Sequence, residues 1–221
     1  MCGLFGVVSP SAESADTVRT LASANTPRGN RSFGLMSWSP LHLTVTRHLG
    51  RWQEGQAMSA PVVLGHLRAP TGGNEELQGT HPFETPEFLL AHNGILLNPE
   101  VIDPVMAYSG APVDSMALVH GIDRAIRDGA RVADAIVAAA GAVDGQQACW
   151  LWHKREQALY LWRVMSTLFW AKTETSCFLF SSVKVGPVQT PLEQGNVYRV
   201  SSDLPRPAIV ANFGFYSPYL E

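Results

Sequence analysis

A cysteine stands at position 2 of this 221-residue chain, directly after Met1. Cysteine is small enough to permit removal of the preceding methionine, and Cys2 would then carry a free α-amino group. An α-amine with an ordinary pKa of about 7.7–8.0 can act as a base for a thiol whose ordinary pKa is about 8.5. The position therefore predicts a nucleophile with a base in its own residue. The alternative is that Cys2 is an early residue of a buried strand.

Further polar residues follow Cys2 at the ends of apolar runs. Taken singly, each has a structural explanation: Arg68 could form a surface ion pair, Asn93-Gly94 a hairpin turn, and Asp114 a helix N-cap. The complete ordered set is Cys2-Gly3-Leu4-Phe5-Gly6, Arg28-Gly29, Gly65-His66-Leu67-Arg68-Ala69-Pro70-Thr71, His81-Pro82, His92-Asn93-Gly94 and Asp114-Ser115.

In this order and with these gaps, the set resembles the class II glutamine amidotransferases, which use an N-terminal nucleophile (Ntn). These include the glutaminase domains of glucosamine-6-phosphate synthase, amidophosphoribosyltransferase and asparagine synthetase. The resemblance extends over nearly the whole chain, with Ser181-Ser182 and the segment 163–168 similar to the paired strands that close such domains. It implies hydrolysis of glutamine to glutamate and ammonia through a thioester on Cys2, without a metal or an organic cofactor.

The resemblance also implies roles for the catalytic residues. Cys2 would attack the side-chain amide carbon of glutamine, and its α-amine would pass the thiol proton to the leaving nitrogen. The side chain of Asn93 and the backbone N–H of Gly94 would stabilise the oxyanion, since a glycine N–H can approach without a Cβ in the way. Arg28 would order the surroundings of the nucleophile and is a supporting residue.

Glutamine itself has two charged ends that need partners. By the same resemblance, Arg68 would bind the α-carboxylate in a two-pronged contact, and Asp114 would bind the α-ammonium. Asp114 could be a helix N-cap at the same time. Thr71 and the backbone groups of 71–73 would complete the substrate site.

The three histidines of the motifs, His66, His81 and His92, are predicted to be structural. Histidine is the usual general base in enzymes, but here the α-amine would fill that role. Two segments depart from the family pattern. The loop 69–73 lacks the large aromatic residue or histidine of many relatives, so closure over substrate is expected to differ. Asn30-Arg31 stands where a tyrosine or histidine and an aspartate are frequent, which puts the neighbouring hydrogen bonds in doubt.

Composition narrows the class of protein. Hydrophobic residues make up 46% of the chain and charged residues 16%, with a net charge of −3. This balance is ordinary for a globular protein and offers no broad basic surface for nucleic acid or anionic lipid. No apolar run is long enough to span a membrane and no signal peptide is evident, so we expect a cytoplasmic protein. Three cysteines without C-x-x-C or H-E-x-x-H spacing argue against a disulfide framework and a zinc site.

The patterning predicts an α+β chain forming one domain over residues 1–221. The strand 88–92 is expected to stop at a tight turn of Asn93-Gly94, and the last twenty residues are expected to form an extended tail. The resemblance implies a four-layer αββα sandwich with two antiparallel sheets face to face. Helices are predicted over 12–25, 113–127 and 131–140, and strands over 3–9, 33–38, 42–49, 61–68, 88–92, 147–153, 157–163, 167–172, 177–182 and 195–201.

Three functions remain open. The synthase half of the multidomain relatives does not follow within these 221 residues. The chain could therefore pass ammonia to a separate synthetase or transferase subunit. It could instead be a stand-alone hydrolase of glutamine or another γ-glutamyl amide. A non-catalytic binding module is the third reading, and the joint presence of Cys2, Arg68, Asn93, Gly94 and Asp114 argues against it.

Overall fold

The structure is a computed structural model that describes residues 1–11, 15–69, 77–104, 113–175, 177–201 and 206–216. Within these residues, the α-helices are α1 (Ala15–Asn25), α2 (Ser115–Arg127) and α3 (Val132–Ala140). The strands are β1 (Gly3–Val8), β2 (Ser32–Ser39), β3 (His42–Leu49), β4 (Val62–Arg68), β5 (Phe83–Glu84), β6 (Phe88–Leu96), β7 (Gly145–His153), β8 (Ala158–Val164), β9 (Phe169–Lys172), β10 (Phe178–Ser181), β11 (Thr190–Pro191), β12 (Asn196–Ser201) and β13 (Ala208–Asn212).

The strands form two antiparallel sheets. Sheet 1 has the order β11-β9-β10-β1-β4-β2-β3, and sheet 2 has the order β13-β12-β8-β7-β6-β5. β2 and β3 pair with each other from Ser32 opposite Leu49 to Ser39 opposite His42. β1 lies between β10 and β4 in the middle of sheet 1, while β6 and β7 pair over nine residues in sheet 2. The residues that precede β1 are therefore attached to a central strand.

The layers follow from the two faces of each strand. In β1, Leu4 packs between the sheets, whereas Phe5 packs on the outer face with Leu21 of α1. In β6, Leu89 faces the other sheet, whereas Leu90 packs with α2 and α3. Because both faces are covered, these strands are nearly continuous apolar runs rather than alternating ones. The predicted four-layer αββα sandwich is confirmed.

The space between the sheets holds the bulkiest part of the core. Trp150 and Trp152 of sheet 2 are fully buried there, against Leu64 and Phe178 of sheet 1. Burial of each such side chain contributes on the order of 1.5–3 kcal/mol. The packing of these side chains therefore fixes the position of one sheet relative to the other. None of the helices in the described part of the chain is long and apolar enough to cross a membrane.

Two predictions of local structure are wrong. β6 does not stop at Asn93-Gly94 but continues to Leu96, with Asn93 opposite Ala148 and Gly94 opposite Gln147. An Asn-Gly pair favours a hairpin only when the chain can fold back at once, and here the partner strand β7 comes about fifty residues later. The last twenty residues are not only an extended tail, because β13 (Ala208–Asn212) pairs with β12 at the edge of sheet 2.

Candidate active site

Cys2 lies immediately before β1, at one end of the space between the sheets. Leu4, two positions on, faces sheet 2, so the direction of Cys2 continues the same face of the strand. The Sγ atom of Cys2 lies 3.4 Å from the backbone nitrogen of Ala69 and 3.5 Å from its carbonyl oxygen. The Nε–H of Arg28 donates to the carbonyl oxygen of Cys2 at 2.9 Å. Contacts from two other segments therefore hold the cysteine in place.

The thiol of Cys2 is partly withdrawn from water. Burial raises the pKa of the Cys2 thiol above its ordinary value, and the backbone N–H of Ala69, the N-terminal ammonium, Arg68 and Arg28 oppose this rise. Met1 precedes Cys2 in peptide linkage and is 63% exposed. The nitrogen of Cys2 is therefore an amide and cannot serve as a base until Met1 is removed.

Arg68 is the last residue of β4 and faces the same space. Leu64, four positions earlier, packs between the sheets, and Arg68 is 3% exposed. A Cβ built on Gly79 would lie 2.8 Å from Nη1 of Arg68, so the guanidinium lies close against that backbone. A planar guanidinium held beside Cys2 is suited to a two-pronged contact with a carboxylate.

Asn93 approaches from the opposite sheet. Leu89 and Ala91 of β6 face sheet 1, and Asn93 continues that face. The side chain is 1% exposed, and among the residues that the structure describes neither Oδ1 nor Nδ2 has a hydrogen-bond partner. Leaving a buried amide without partners costs about 1–3 kcal/mol. A ligand that bonds to this amide would remove that cost.

Gly94 follows in the same strand, with its backbone turned toward the free edge. Leu96 N donates to Oδ2 of Asp114 at 2.6 Å. Since alternate N–H groups in a strand point to the same side, the N–H of Gly94 also points away from β7. A Cβ at Gly94 would lie only 1.7 Å from the carbonyl oxygen of Gln146. This close approach, rather than a turn, explains why the position is glycine.

Asp114 precedes α2 but makes no side-chain capping bond to that helix. Its carboxylate instead accepts the Leu96 N–H, which ties the start of α2 to β6. His92 strengthens this connection, since its Nδ1 lies 2.8 Å from Ser115 Oγ and its Nε2 lies 3.0 Å from the Gln146 carbonyl. A carbonyl oxygen only accepts, so Nε2 carries the proton and the Ser115 hydroxyl donates to Nδ1. Burial lowers the pKa of His92, and Asp114 opposes that change.

Two further histidines lie between the sheets. Nε2 of His66 donates to the carbonyl oxygen of His92 at 3.2 Å, and burial lowers the pKa of His66 to about 3. The ring of His81 packs against that of His66 in a tilted arrangement, with 4.2 Å between the centroids. Burial also lowers the pKa of His81 well below its ordinary value. All three histidines are therefore neutral at neutral pH, and their purely structural role stays a prediction.

The predicted residues thus fall into two groups. Cys2 and Arg68 lie at strand ends of sheet 1, and Arg28 lies between α1 and β2, from where both arginines act electrostatically on the thiol. Asn93, Gly94 and Asp114 lie on sheet 2 and its helix, and the hydrogen bond from His66 joins the two sheets. Thr71 lies outside the described residues. Sequence analysis did not identify the backbone of Ala69 or Gly79 as part of the site, because nothing in their types signals these contacts.

No cluster of three or more histidine, cysteine, aspartate or glutamate side chains in the described ranges is arranged to hold a metal ion. The polar side-chain groups at the candidate site are a thiol, two guanidinium groups, an amide and a carboxylate. Such a set suits an amino acid or another zwitterion.

Comparison with known proteins places this geometry in context. No protein-family model matches the chain. In an alignment of 197 positions, the chain is 23% identical to the glutamine–fructose-6-phosphate aminotransferase (isomerizing) of Helicobacter pylori, and the match covers 84% of this chain and 33% of that protein. The chain therefore spans about a third of this curated relative.

Solved structures give a broader likeness. The glutamine phosphoribosylpyrophosphate amidotransferase of B. subtilis has a TM-score of 0.76 at 18% identity, over 95% of this chain and 49% of that one. An allosteric regulatory enzyme of purine biosynthesis has a TM-score of 0.71 at 18% identity, over 96% and 50%. A glutamine aminotransferase class-II domain protein of Silicibacter pomeroyi has a TM-score of 0.57 at 11% identity, over 96% and 99%.

These likenesses define the class of the fold: it is that of the Ntn-type, class II glutamine amidotransferase domains. The chain therefore has the fold of these domains, as the ordered motifs predict.

Proposed function

We propose that this chain is a glutaminase that hydrolyses glutamine to glutamate and ammonia through a thioester on Cys2. The observation that carries this proposal is the hydrogen bond from His66 to His92, which links the strand that ends at Arg68 to the strand that carries Asn93. In addition, the amide of Asn93 is buried without a hydrogen-bond partner among the described residues. The fold supports this chemistry but does not by itself define it.

The first half of the reaction forms the thioester. After removal of Met1, the α-amine of Cys2 takes the thiol proton and Sγ attacks the side-chain amide carbon of glutamine. The carbonyl oxygen becomes an oxyanion, to which Nδ2 of Asn93 and the N–H of Gly94 donate. The C–N bond then breaks as the α-ammonium returns the proton to the leaving nitrogen, so that ammonia departs and the glutamyl thioester remains.

The second half releases glutamate. A water molecule gives one proton to the α-amine and attacks the thioester carbonyl, which again forms an oxyanion beside Asn93 and Gly94. The C–S bond breaks, and the same proton returns to the sulfur of Cys2. Water is consumed once, and the enzyme recovers its thiol and its free amine.

Recognition of glutamine follows from the charges at the site. Arg68 binds the α-carboxylate, and Asp114 binds the α-ammonium while still accepting the Leu96 N–H through one of its two oxygens. Arg28 supports the nucleophile through the carbonyl of Cys2. Thr71 is proposed to complete the substrate site. No organic cofactor or metal takes part in this scheme.

The fate of the ammonia distinguishes two versions of the proposal. In the first, a separate synthetase or transferase subunit receives it. In the second, the chain acts as a stand-alone hydrolase of glutamine or a larger γ-glutamyl amide. Low basal turnover that rises on addition of a partner supports the first version, and full turnover by the chain itself supports the second.

The proposal is tested by intact mass after incubation with a γ-diazoketone analogue of L-glutamine. We expect the purified protein to lack Met1 and to gain one adduct that maps to Cys2, with none on Cys2→Ala. The D-enantiomer of the reagent controls for simple alkylation and should not label. A protein that has lost Met1 and still forms no adduct, or one that labels equally with both enantiomers, would overturn the glutaminase proposal.

A further inference from the structure

Among the described residues, His66 and Gly65 of β4 in sheet 1 are each joined to sheet 2 by a side-chain hydrogen bond. Nε2 of His66 donates to the carbonyl oxygen of His92 at 3.2 Å, and Nε1 of Trp150 donates to the carbonyl oxygen of Gly65 at 3.2 Å. The donors come from opposite sheets, and the two bonds leave adjacent residues of the same strand. They attach different parts of sheet 2. The bond from His66 ends on β6 just before Asn93, whereas the bond from Trp150 comes from the middle of β7.

The ring of His66 is well placed to act as a fixed donor. The residue is fully buried, and its ring packs on that of His81, which in turn packs on Phe83 with 4.4 Å between the centroids. A carbonyl acceptor requires the proton on Nε2. Within the described residues Nδ1 has no hydrogen-bond partner, so the ring packing and the bond to His92 together fix the ring orientation.

The bond to His92 acts directly on the oxyanion donors. The carbonyl of His92 and the N–H of Asn93 belong to one planar peptide group, so holding the oxygen also orients the backbone of Asn93. On the other sheet, His66 lies two positions before Arg68 and on the same face of β4. The hydrogen bond therefore spans the gap between the strand that carries Arg68 and the strand that carries Asn93 and Gly94.

We propose that His66 is a positioning residue whose Nε2–H sets the placement of Asn93 and Gly94 relative to Cys2 and Arg68. This inference rests on the proposed glutaminase function. Its physical basis is that oxyanion donors stabilise a transition state only when their distance to the developing charge is right. A misplacement of about 1 Å can lower a rate by on the order of a hundredfold.

The test compares substitutions at His66 with a matched substitution at the second bond. His66→Leu removes the donor, whereas His66→Gln keeps an amide N–H the same number of bonds from the backbone. Trp150→Phe removes the neighbouring hydrogen bond between the sheets but leaves most of the apolar ring. We expect His66→Leu to lower kcat for glutamine by about tenfold to a hundredfold with KM changed less than about threefold. His66→Gln should recover most of that loss, and Trp150→Phe should lower Tm with little change in kcat.

Two outcomes would contradict the positioning role of His66. If His66→Leu keeps kcat within about threefold of the wild type, or if it and Trp150→Phe lose kcat to the same degree, His66 has no positioning role. Should the leucine variant not fold, His66→Asn replaces it, because that shorter amide cannot reach the His92 carbonyl and is expected to lose kcat in the same way.

A second readout separates this inference from the glutaminase proposal. The backbone amide resonance of Gly94 in an NMR spectrum reports its placement whether or not glutamine is hydrolysed. We expect this resonance to shift in His66→Leu and to stay near its wild-type position in Trp150→Phe. An inactive wild-type enzyme would contradict the proposed function, whereas an unmoved Gly94 resonance in His66→Leu would contradict the positioning role.

Discussion

The two sheets contribute to the site in different ways. Sheet 1 supplies charged or nucleophilic groups at strand ends, with Cys2 just before β1 and Arg68 as the last residue of β4. Sheet 2 supplies neutral donors from within a strand, since Asn93 and Gly94 lie inside the nine-residue β6. Charges act over several ångströms, but a neutral N–H stabilises an oxyanion only at hydrogen-bond distance. The proposed oxyanion donors have the stricter distance requirement, and they lie inside a regular strand rather than at a strand end.

The largest loss of activity is expected when the proposed nucleophile next to sheet 1 is removed. Cys2→Ala is expected to lower kcat for glutamine by about ten-thousandfold or more, because no thioester can form. The measurement is ammonia release under saturating glutamine. Cys177→Ala is the matched control, since Cys177 is buried against Ser9 on the outer side of sheet 1. Residual activity in Cys2→Ala near that of Cys177→Ala would refute the thioester mechanism.

The next test removes the neutral donor on sheet 2. Asn93→Ala should lower kcat by about a hundredfold to a thousandfold. It should leave the free energy of unfolding unchanged or raise it, because no hydrogen bond to the amide is lost among the described residues and the cost of burying an unpaired amide is removed. Asn25→Ala should behave in the opposite way and lose about 1–3 kcal/mol, because its amide donates to Leu21 O and Ser181 Oγ. Urea unfolding and steady-state kinetics of both variants decide the point, and equal destabilisation would contradict it.

A smaller effect is expected for substrate recognition on sheet 1. Arg68→Lys should raise KM for glutamine by about tenfold or more with a smaller change in kcat, because an ammonium cannot form the two-pronged contact with a carboxylate. Arg28→Lys, which alters a bond to the Cys2 carbonyl, should instead lower kcat a few-fold and leave KM nearly unchanged. Identical changes in KM and kcat for the two variants would show that the two arginines are not specialised in this way.

The smallest effect concerns the histidines between the sheets. Burial holds the pKa of His66 at about 3 and that of His81 well below its ordinary value, so the folded protein does not protonate them in mild acid. The unfolded chain does take up protons below about pH 6.5, so the free energy of unfolding should fall as the pH is lowered from there. Each such histidine contributes a slope of about 1.4 kcal/mol per pH unit. His81→Phe should reduce the slope in urea titrations between pH 7 and 5, and an unchanged slope would contradict this.

Sequence analysis performed differently on the two sheets. On sheet 1, Cys2 and Arg68 are marked by the chain start and by the end of an apolar run, and the strands other than the two-residue β11 were predicted to within two residues. On sheet 2, Asn93-Gly94 was identified as important but assigned to a turn, because the Asn-Gly signal is local and the pairing with β7 is not. The contact between His66 and His92 joins residues on different sheets. No periodicity within either strand reports such a contact.

Sequence analysis missed the edge strand β13 for a related reason. The last twenty residues contain prolines and turn formers, and this composition concealed the five-residue segment Ala208–Asn212 that pairs with β12. Prolines at both sides do not exclude a short edge strand. The helices were predicted well, since α2 and α3 each present an apolar stripe to sheet 2.

The exposed methionine before Cys2 has a practical consequence for anyone producing this protein. Under the proposed mechanism, a purification tag or leader fused to its front would leave Cys2 in an amide bond and would yield a folded but inert preparation. The same fusion at the other end would leave maturation to the aminopeptidase of the expression host. Overproduction that outruns that enzyme should give a mixture of trimmed and untrimmed chains, and the specific activity of a batch should follow the trimmed fraction seen in its mass spectrum.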